Sequence, residues 1–218
     1  FDINEVSTPQ ILIAGCGTGQ HSIGTASRFE ECDILAIDLS LSSLAYARRK
    51  TEELGISNIE YMQADILDLG ALNRKFHIIE SAGVLHHMDD PMAGWKVLTD
   101  SLRLGGLMNI GLYSELARRD IVQMRDEIEQ SNIDLSDEVM KTIRKNILSS
   151  EMDHHKTILL SNDFYSLSTL RDLLFHAQEH RFTIPQIQDC LSEFGLVFCG
   201  FEAKKVIQMF KSKRLAEN

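Results

Sequence analysis

Glycines at alternate positions, Gly15, Gly17 and Gly19, break the apolar run Ile11-Leu12-Ile13-Ala14 and lead straight into a helix-like stretch, Gln20–Arg28. A run of this length and branching reads as a buried strand of a parallel sheet, and alternate glycines let the backbone turn tightly and approach a ligand that a Cβ would repel. The loop therefore reads as a nucleotide-binding turn at a helix N-terminus. Its spacing, G-x-G-x-G, is one residue short of the dinucleotide pattern. Two carboxylates follow at informative places. Asp38 closes a second apolar run, about 20 residues after the glycines, where α/β nucleotide folds hold the ribose hydroxyls. A carboxylate suits that task because it accepts both hydrogen bonds of a vicinal diol. The alternative for Asp38 is the N-cap of a helix beginning near Leu41, although Ser40 also suits that position. Asp65 closes a third run, residues 59–64, and is placed either to accept the adenine amino group or to cap a short helix through Leu69.

These groups act together only if a sheet brings them together. In a doubly wound sheet the carboxyl ends of the strands line one crevice, so the glycine loop, Asp38 and Asp65 are expected at one ligand. Residues 75–81 read as a fourth strand. A helix is expected over 91–104, with Asp89 or Asp90 as N-cap, Pro91 in its first turn and Gly105-Gly106 as its stop. Residues 107–113 give a fifth strand. Residues 196–201 and 206–210 read as two strands joined by a short charged turn, a connection that allows only an antiparallel hairpin.

The ordered segments Ala14-Gly15-Cys16-Gly17-Thr18-Gly19, Ala36-Ile37-Asp38-Leu39-Ser40, Gln63-Ala64-Asp65-Ile66 and Ser81-Ala82-Gly83-Val84-Leu85-His86-His87 resemble the signatures of class I S-adenosylmethionine-dependent methyltransferases. The resemblance covers the first half of the chain closely. It implies a Rossmann-like α/β fold, a doubly wound seven-stranded sheet whose last strand is antiparallel. It also implies a glycine loop packed against the methionine part of S-adenosyl-L-methionine, which would explain the departure from pyrophosphate spacing. On this resemblance the cofactor-binding residues are Gly15, Cys16, Gly17, Gly19, Asp38, Leu39, Asp65, Ile66, Ser81 and Gly83. Cys16 serves there as a small residue.

Between the fifth strand and the hairpin lies a surplus, residues 114–183, that is helix-like and charged over 117–130, after Asp137 and over 170–180. A crossover needs about a dozen residues. Insertions here commonly cover the acceptor pocket in the family, so this segment is expected to select the acceptor; a solvated or oligomer-forming appendage is the alternative. Within it, His176-Ala177-Gln178-Glu179-His180 matches the H-x-x-E-H zinc pattern. No third ligand is evident from spacing and the cofactor crevice needs no metal, so none is expected. The stretch from Asp163 to Gln186 resembles the tail of bacterial methyltransferase domains often joined to helical-repeat or other modules, some acting on protein lysines.

The 218 residues, 44% of them hydrophobic, suffice for one α/β catalytic domain, 1–218, without repeats or a low-complexity linker. A net charge of −10 argues against a broad nucleic-acid surface, and Arg48-Arg49-Lys50 reads as a helix end. The four cysteines, Cys16, Cys32, Cys190 and Cys199, lack paired metal spacing, and with no signal or membrane segment in view a reduced, cytoplasmic protein is expected. The chain begins at Phe1 and reaches its first strand almost at once, as a fragment of a longer protein would. The expected chemistry is displacement of a methyl group from a sulfonium, with a base needed only when the acceptor carries a proton. His86, His87 and Tyr113 follow the fourth and fifth strands, and His87 is the first choice as base because imidazole takes a proton near neutral pH. The acceptor expected is a small molecule or a protein side chain. Homo-oligomerisation and fusion to further domains stay open. A non-catalytic cofactor-binding regulatory module and an NAD(P)-dependent oxidoreductase are the alternative functions.

Overall fold

A computed structural model of the chain describes residues 6–29, 31–131, 136–175 and 179–202. Five strands, β1 (Gln10–Ala14), β2 (Asp33–Asp38), β3 (Ile59–Gln63), β4 (Phe76–Ala82) and β5 (Leu102–Gly111), form one sheet in the order β3-β2-β1-β4-β5. Every pairing is parallel. The order reverses beside β1, which puts a switch point at the glycine loop. Helices α1 (Gln20–Arg28), α2 (Leu41–Glu53) and α3 (Pro91–Ser101) are the crossovers. β1 and β2 are buried on both faces, which is why they read as continuous apolar runs: Ile11, Leu12, Ala14, Leu35 and Ala36 are all fully buried.

The sheet corrects two expectations. Among the described residues it has five parallel strands, not seven with an antiparallel last one. Residues 196–201 form no strand, and residues 206–210 lie outside the described residues. In the first stretch Val197, Phe198 and Phe201 are exposed, and the rings of Phe198 and Phe201 meet at 4.9 Å between centroids. An apolar run becomes a strand only where a neighbour completes its hydrogen-bond ladder, and residues 196–201 have no such neighbour among the described residues.

The second correction concerns Gly105-Gly106. The helix stops earlier, at Ser101, and the glycines lie inside β5, where the register jumps from Phe76↔Leu102 to Ile78↔Leu107. They permit a bulge: Gly105 has φ 77°, and a Cβ on Gly106 would sit 2.8 Å from the His77 carbonyl oxygen. The N-terminus of α3 follows expectation, with Asp90 accepting from the Met92 and Ala93 amides at 2.9 and 3.0 Å and Pro91 in the first turn.

Beyond β5 come α4 (Arg119–Gln130), α5 (Asp137–Leu148), α6 (Asp153–Ile158) and α7 (Leu167–Phe175). They enclose a core of their own, including Met124, Ile143, Ile147, Ile158, Phe164 and Leu170. Sheet and insertion belong to one compact unit ending at Thr183. A second unit begins at Ile184 with α8 (Ile184–Glu193), which closes on Gly195 at φ 66° with the Leu196 amide donating to the Leu191 carbonyl at 2.8 Å. No helix among the described residues is long and apolar enough to cross a membrane.

Candidate cofactor site

The carboxyl ends of all five strands share one edge of the sheet, with Ala14 opposite Ile37, Asp38 opposite Gln63 and Ala82 opposite Gly111. The loop leaving β1 is fastened there by backbone bonds, since the Gly15 and Cys16 amides both donate to the Ile37 carbonyl at 2.9 Å. Gly15, Gly17 and Gly19 have φ of 78°, 52° and 87°, a left-handed backbone that side chains disfavour. They differ in what surrounds them. A Cβ on Gly15 would overlap Val84 Cγ2, and one on Gly19 would lie 2.7 Å from Ala47 Cβ and 3.1 Å from the Tyr61 hydroxyl. A Cβ on Gly17 would meet nothing within 4 Å. Gly15 and Gly19 are thus required by the fold, whereas Gly17 faces open space.

Asp38 binds the loop with both carboxylate oxygens. Oδ2 accepts from the Gly17 amide at 2.8 Å, and Oδ1 accepts from the Ser40 amide at 2.9 Å. Ser40, not Asp38, caps α2, accepting from the Ser43 amide at 3.2 Å. Asp65 caps a 3₁₀ turn (Ile66–Leu72) through a bond from the Leu67 amide at 2.9 Å. Leu39 is exposed and Ile66 buried. At the end of β4, Ser81 is fully buried and its Oγ has no hydrogen-bond partner among the described residues, and Gly83 turns at φ 79° beside Val84. The Cys16 thiol is pushed up to about 12, first by burial and then by Asp38, so it stays protonated and is no nucleophile.

The residue types present fit an adenosyl cofactor: open space over Gly17, the carboxylates Asp38 and Asp65 after the next two strands of the sheet, and on the other side, after β4, a buried serine hydroxyl lacking a partner among the described residues. Several supports went unread in the sequence. The Tyr61 hydroxyl bonds Ser22 at 3.1 Å and Thr51 at 2.8 Å, joining α1 and α2 beneath the loop. Glu80, buried within β4, takes hydrogen bonds from Thr25 at 2.7 Å and an ion pair from His21 at 3.0 Å. Burial pushes the Glu80 carboxyl up, but those two partners outweigh it and hold the group below the usual carboxylate range.

The wall beside this edge is aromatic. The buried His86 ring stacks on Tyr113 at 3.7 Å between centroids and 25° between planes, and half-buried His87 meets His86 edge-on at 4.3 Å. The Arg118 guanidinium lies 3.9 Å from the centre of the Tyr113 ring. Arg118 and Arg125 both pair with Glu179, the latter at 2.9 Å, and the Glu179 side chain is 1% exposed. Glu179 therefore serves as a counter-ion, which accounts for the glutamate of the H-x-x-E-H pattern; His176 lies outside the described residues. Backbone bonds complete the wall: the His180 amide donates to the His86 carbonyl at 2.7 Å, and the Phe182 amide donates to the Tyr113 carbonyl at 2.8 Å.

Burial, then the neighbouring His87, depresses the His86 pKa from 6.5 to about 4. A histidine depressed in the folded state binds its proton more readily when unfolded, so stability is full above pH 6.5 and falls as the pH drops toward 4. The loss is expected to approach about 3 kcal/mol across that window. Urea melts at stepped pH would show it, and His86→Phe should flatten the slope between pH 6.5 and 5. The lowered carboxylates Glu80 and Glu179 act only at lower pH. An unchanged slope in the variant would remove His86 as the cause.

Comparison with known proteins agrees with this kind of domain and with its cofactor. Residues 11–106 match the family model of the methyltransferase domain. These residues form a domain of the class I S-adenosylmethionine-dependent methyltransferase kind, whose cofactor is S-adenosylmethionine. An uncharacterized protein of Synechococcus is 30% identical over 207 residues, covering 90% of this chain and 49% of that protein. A malonyl-[acyl-carrier protein] O-methyltransferase of Acetivibrio thermocellus is 28% identical over 116 residues, covering 53% of this chain and 40% of its own. Among solved structures, PKMT2 from Rickettsia typhi in complex with AdoHcy superposes with a TM-score of 0.69 at 20% identity, covering 85% of this chain and 38% of that one. That likeness is one of fold. The chain spans less than half the length of each of these relatives.

Proposed function

We propose that this chain transfers a methyl group from S-adenosylmethionine to a small molecule or a protein side chain. The observation that carries the reading is the bond from the Gly17 amide to Asp38, which sets the open face of the glycine loop and the candidate ribose ligand side by side. The bound cofactor supplies an electrophilic methyl on a sulfonium. Gly15, Cys16, Gly17 and Gly19 would shape its seat; Asp38 and Leu39 would meet the ribose, Asp65 and Ile66 the adenine, and Ser81 and Gly83 the other side. Each Asp38 oxygen retains a lone pair for a hydroxyl beyond its present bond. PKMT2's complex with AdoHcy supports the same seat here.

The wall residues divide the remaining work. His86 is buried and its pKa is depressed, so its neutral ring packs and positions. Burial raises the Tyr113 pKa, which keeps the phenol protonated as a hydrogen-bond donor. His87, half-buried at the edge, is the residue left to take a proton from an acceptor that carries one. A net charge of −10 disfavours a nucleic-acid acceptor, and the insertion beside this wall is the segment assigned to acceptor choice.

Calorimetric titration tests the cofactor and labelled methyl transfer into a lysate tests the reaction. The protein should bind S-adenosylmethionine in preference to NADH. Asp38→Ala should weaken that binding roughly 10- to 100-fold, the loss of one or two charge-assisted hydrogen bonds, and lower labelling in parallel. Preference for NADH would sink the reading, binding without labelling would favour a regulatory module, and equal labelling by the variant would refute the role of Asp38.

A further inference from the structure

The insertion holds a polar cluster that methyl transfer does not use. Glu127, on α4, faces His154 and His155 at the start of α6, and a ligand atom from each lies within 4.8 Å of the others. His154 Nε2 is 2.8 Å from Glu127 Oε1, and His155 Nε2 is 3.2 Å from Oε2. In a tetrahedral zinc site with bonds of about 2.0–2.1 Å, neighbouring ligand atoms stand about 3.3 Å apart. Each histidine nitrogen already stands near that spacing from a carboxylate oxygen, and all three ligand atoms lie within 4.8 Å of one another.

Two further observations set this cluster apart from an ordinary surface ion pair. Consecutive residues on a helix point about 100° apart and do not face each other, yet these two rings converge on one carboxylate, edge to face with centroids 4.3 Å apart. Both histidines are buried, His154 at 9% and His155 at 6% exposure, and His154 Nε2 has no hydrogen-bond partner among the described residues although the carboxylate is close. The oxygen lies off the line along which that nitrogen would donate a proton. A buried imidazole nitrogen beside a carboxylate but not bonded to it costs free energy that a shared cation would recover.

We propose that Glu127, His154 and His155 form a zinc site that ties α4 to α6 within the insertion. One carboxylate and two neutral imidazoles are a common donor set for Zn²⁺, leave a net positive charge, and require a fourth ligand. Water can reach that position because the Glu127 side chain is 36% exposed. The site is remote in sequence from the glycine loop and from the H-x-x-E-H pattern, and its role is structural: a clasp between helices that share one small core.

The test is metal binding by the 218-residue chain, freed of any affinity tag and stripped with chelator. Titration with Zn²⁺ should give one bound equivalent and raise the melting temperature, and Co²⁺ should give the intense visible absorption of a tetrahedral site. Glu127→Gln and His154→Gln, checked for native circular dichroism, should each weaken zinc binding by roughly 100-fold or more, at least the loss seen when a supporting partner is removed. His180→Gln should leave it unchanged. Absence of a stoichiometric zinc equivalent in the unaltered chain overturns the proposal even if a variant fails to fold, as does binding that survives Glu127→Gln or disappears in His180→Gln.

Discussion

Replacing Glu179 with alanine is expected to destabilise the protein by about 3–5 kcal/mol, because it leaves buried cations without their counter-charge. The Glu179 carboxylate is 1% exposed and is shared by Arg118 and Arg125, whose side chains are 9% and 16% exposed. Burial pushes the Glu179 carboxyl up, but the arginines prevail and hold it below the usual range. Neither arginine can discharge itself by losing a proton. Arg125 keeps a bond to the Leu173 carbonyl at 2.7 Å, which compensates only part of the loss, whereas Arg118 is left against the Tyr113 ring. Equilibrium denaturation of Glu179→Ala measures the cost, and the double variant Glu179→Leu/Arg118→Met should recover part of it. A cost below about 1 kcal/mol would place the pair among ordinary surface bridges. Because residues 180 and 182 bond the carbonyls of His86 and Tyr113, the variant should also loosen the aromatic wall.

Gly15→Ala should be comparably damaging, through a different route. Its φ of 78° costs a side chain about 1–3 kcal/mol, and the new Cβ would overlap Val84 Cγ2, adding about 1–3 kcal/mol of overpacking. Gly17→Ala provides the contrast. Its φ of 52° costs a side chain about 1–2 kcal/mol with no clash, so it should cost stability less than Gly15→Ala and reveal its effect in cofactor affinity. Chemical denaturation and titration with S-adenosylhomocysteine separate the two outcomes. Equal stability losses at both positions would show that the contact with Val84 is easily relieved.

Much of this was legible from local pattern. Strands β1 and β2 announce themselves because burial on both faces leaves unbroken apolar runs, and the alternate glycines mark where the chain must turn tightly. Asp90-Pro91 fixes the start of α3 because a cap and a first-turn proline act within a few residues. What escaped depended on partners far along the chain. Gly105-Gly106 reads locally as a helix stop and becomes a bulge only because β4 lies alongside. Residues 196–201 have the composition of a strand but no ladder among the described residues. Glu179 sits in a zinc-like pattern, yet it is claimed by arginines 61 and 54 residues earlier, and no spacing rule connects them. Asp65 shows the reverse problem: one carboxylate suits both a cap and a ligand, and the bond to Leu67 establishes the first without excluding the second.

The contact between Ser114 and Phe182, a parallel bridge just past β5, has a consequence for how this architecture can change. The long excursion leaves the sheet and returns to it at neighbouring points, held by the Glu115 amide on the Phe182 carbonyl at 3.1 Å. A segment with adjacent ends and its own core behaves as a cassette, whose length and sequence can drift or be exchanged without reregistering a strand. The glycine turn and its carboxylates stay fixed on one side of that junction, while the described helices beyond it can vary wherever the Glu179 pairs with Arg118 and Arg125 and the His180 bond to His86 are kept.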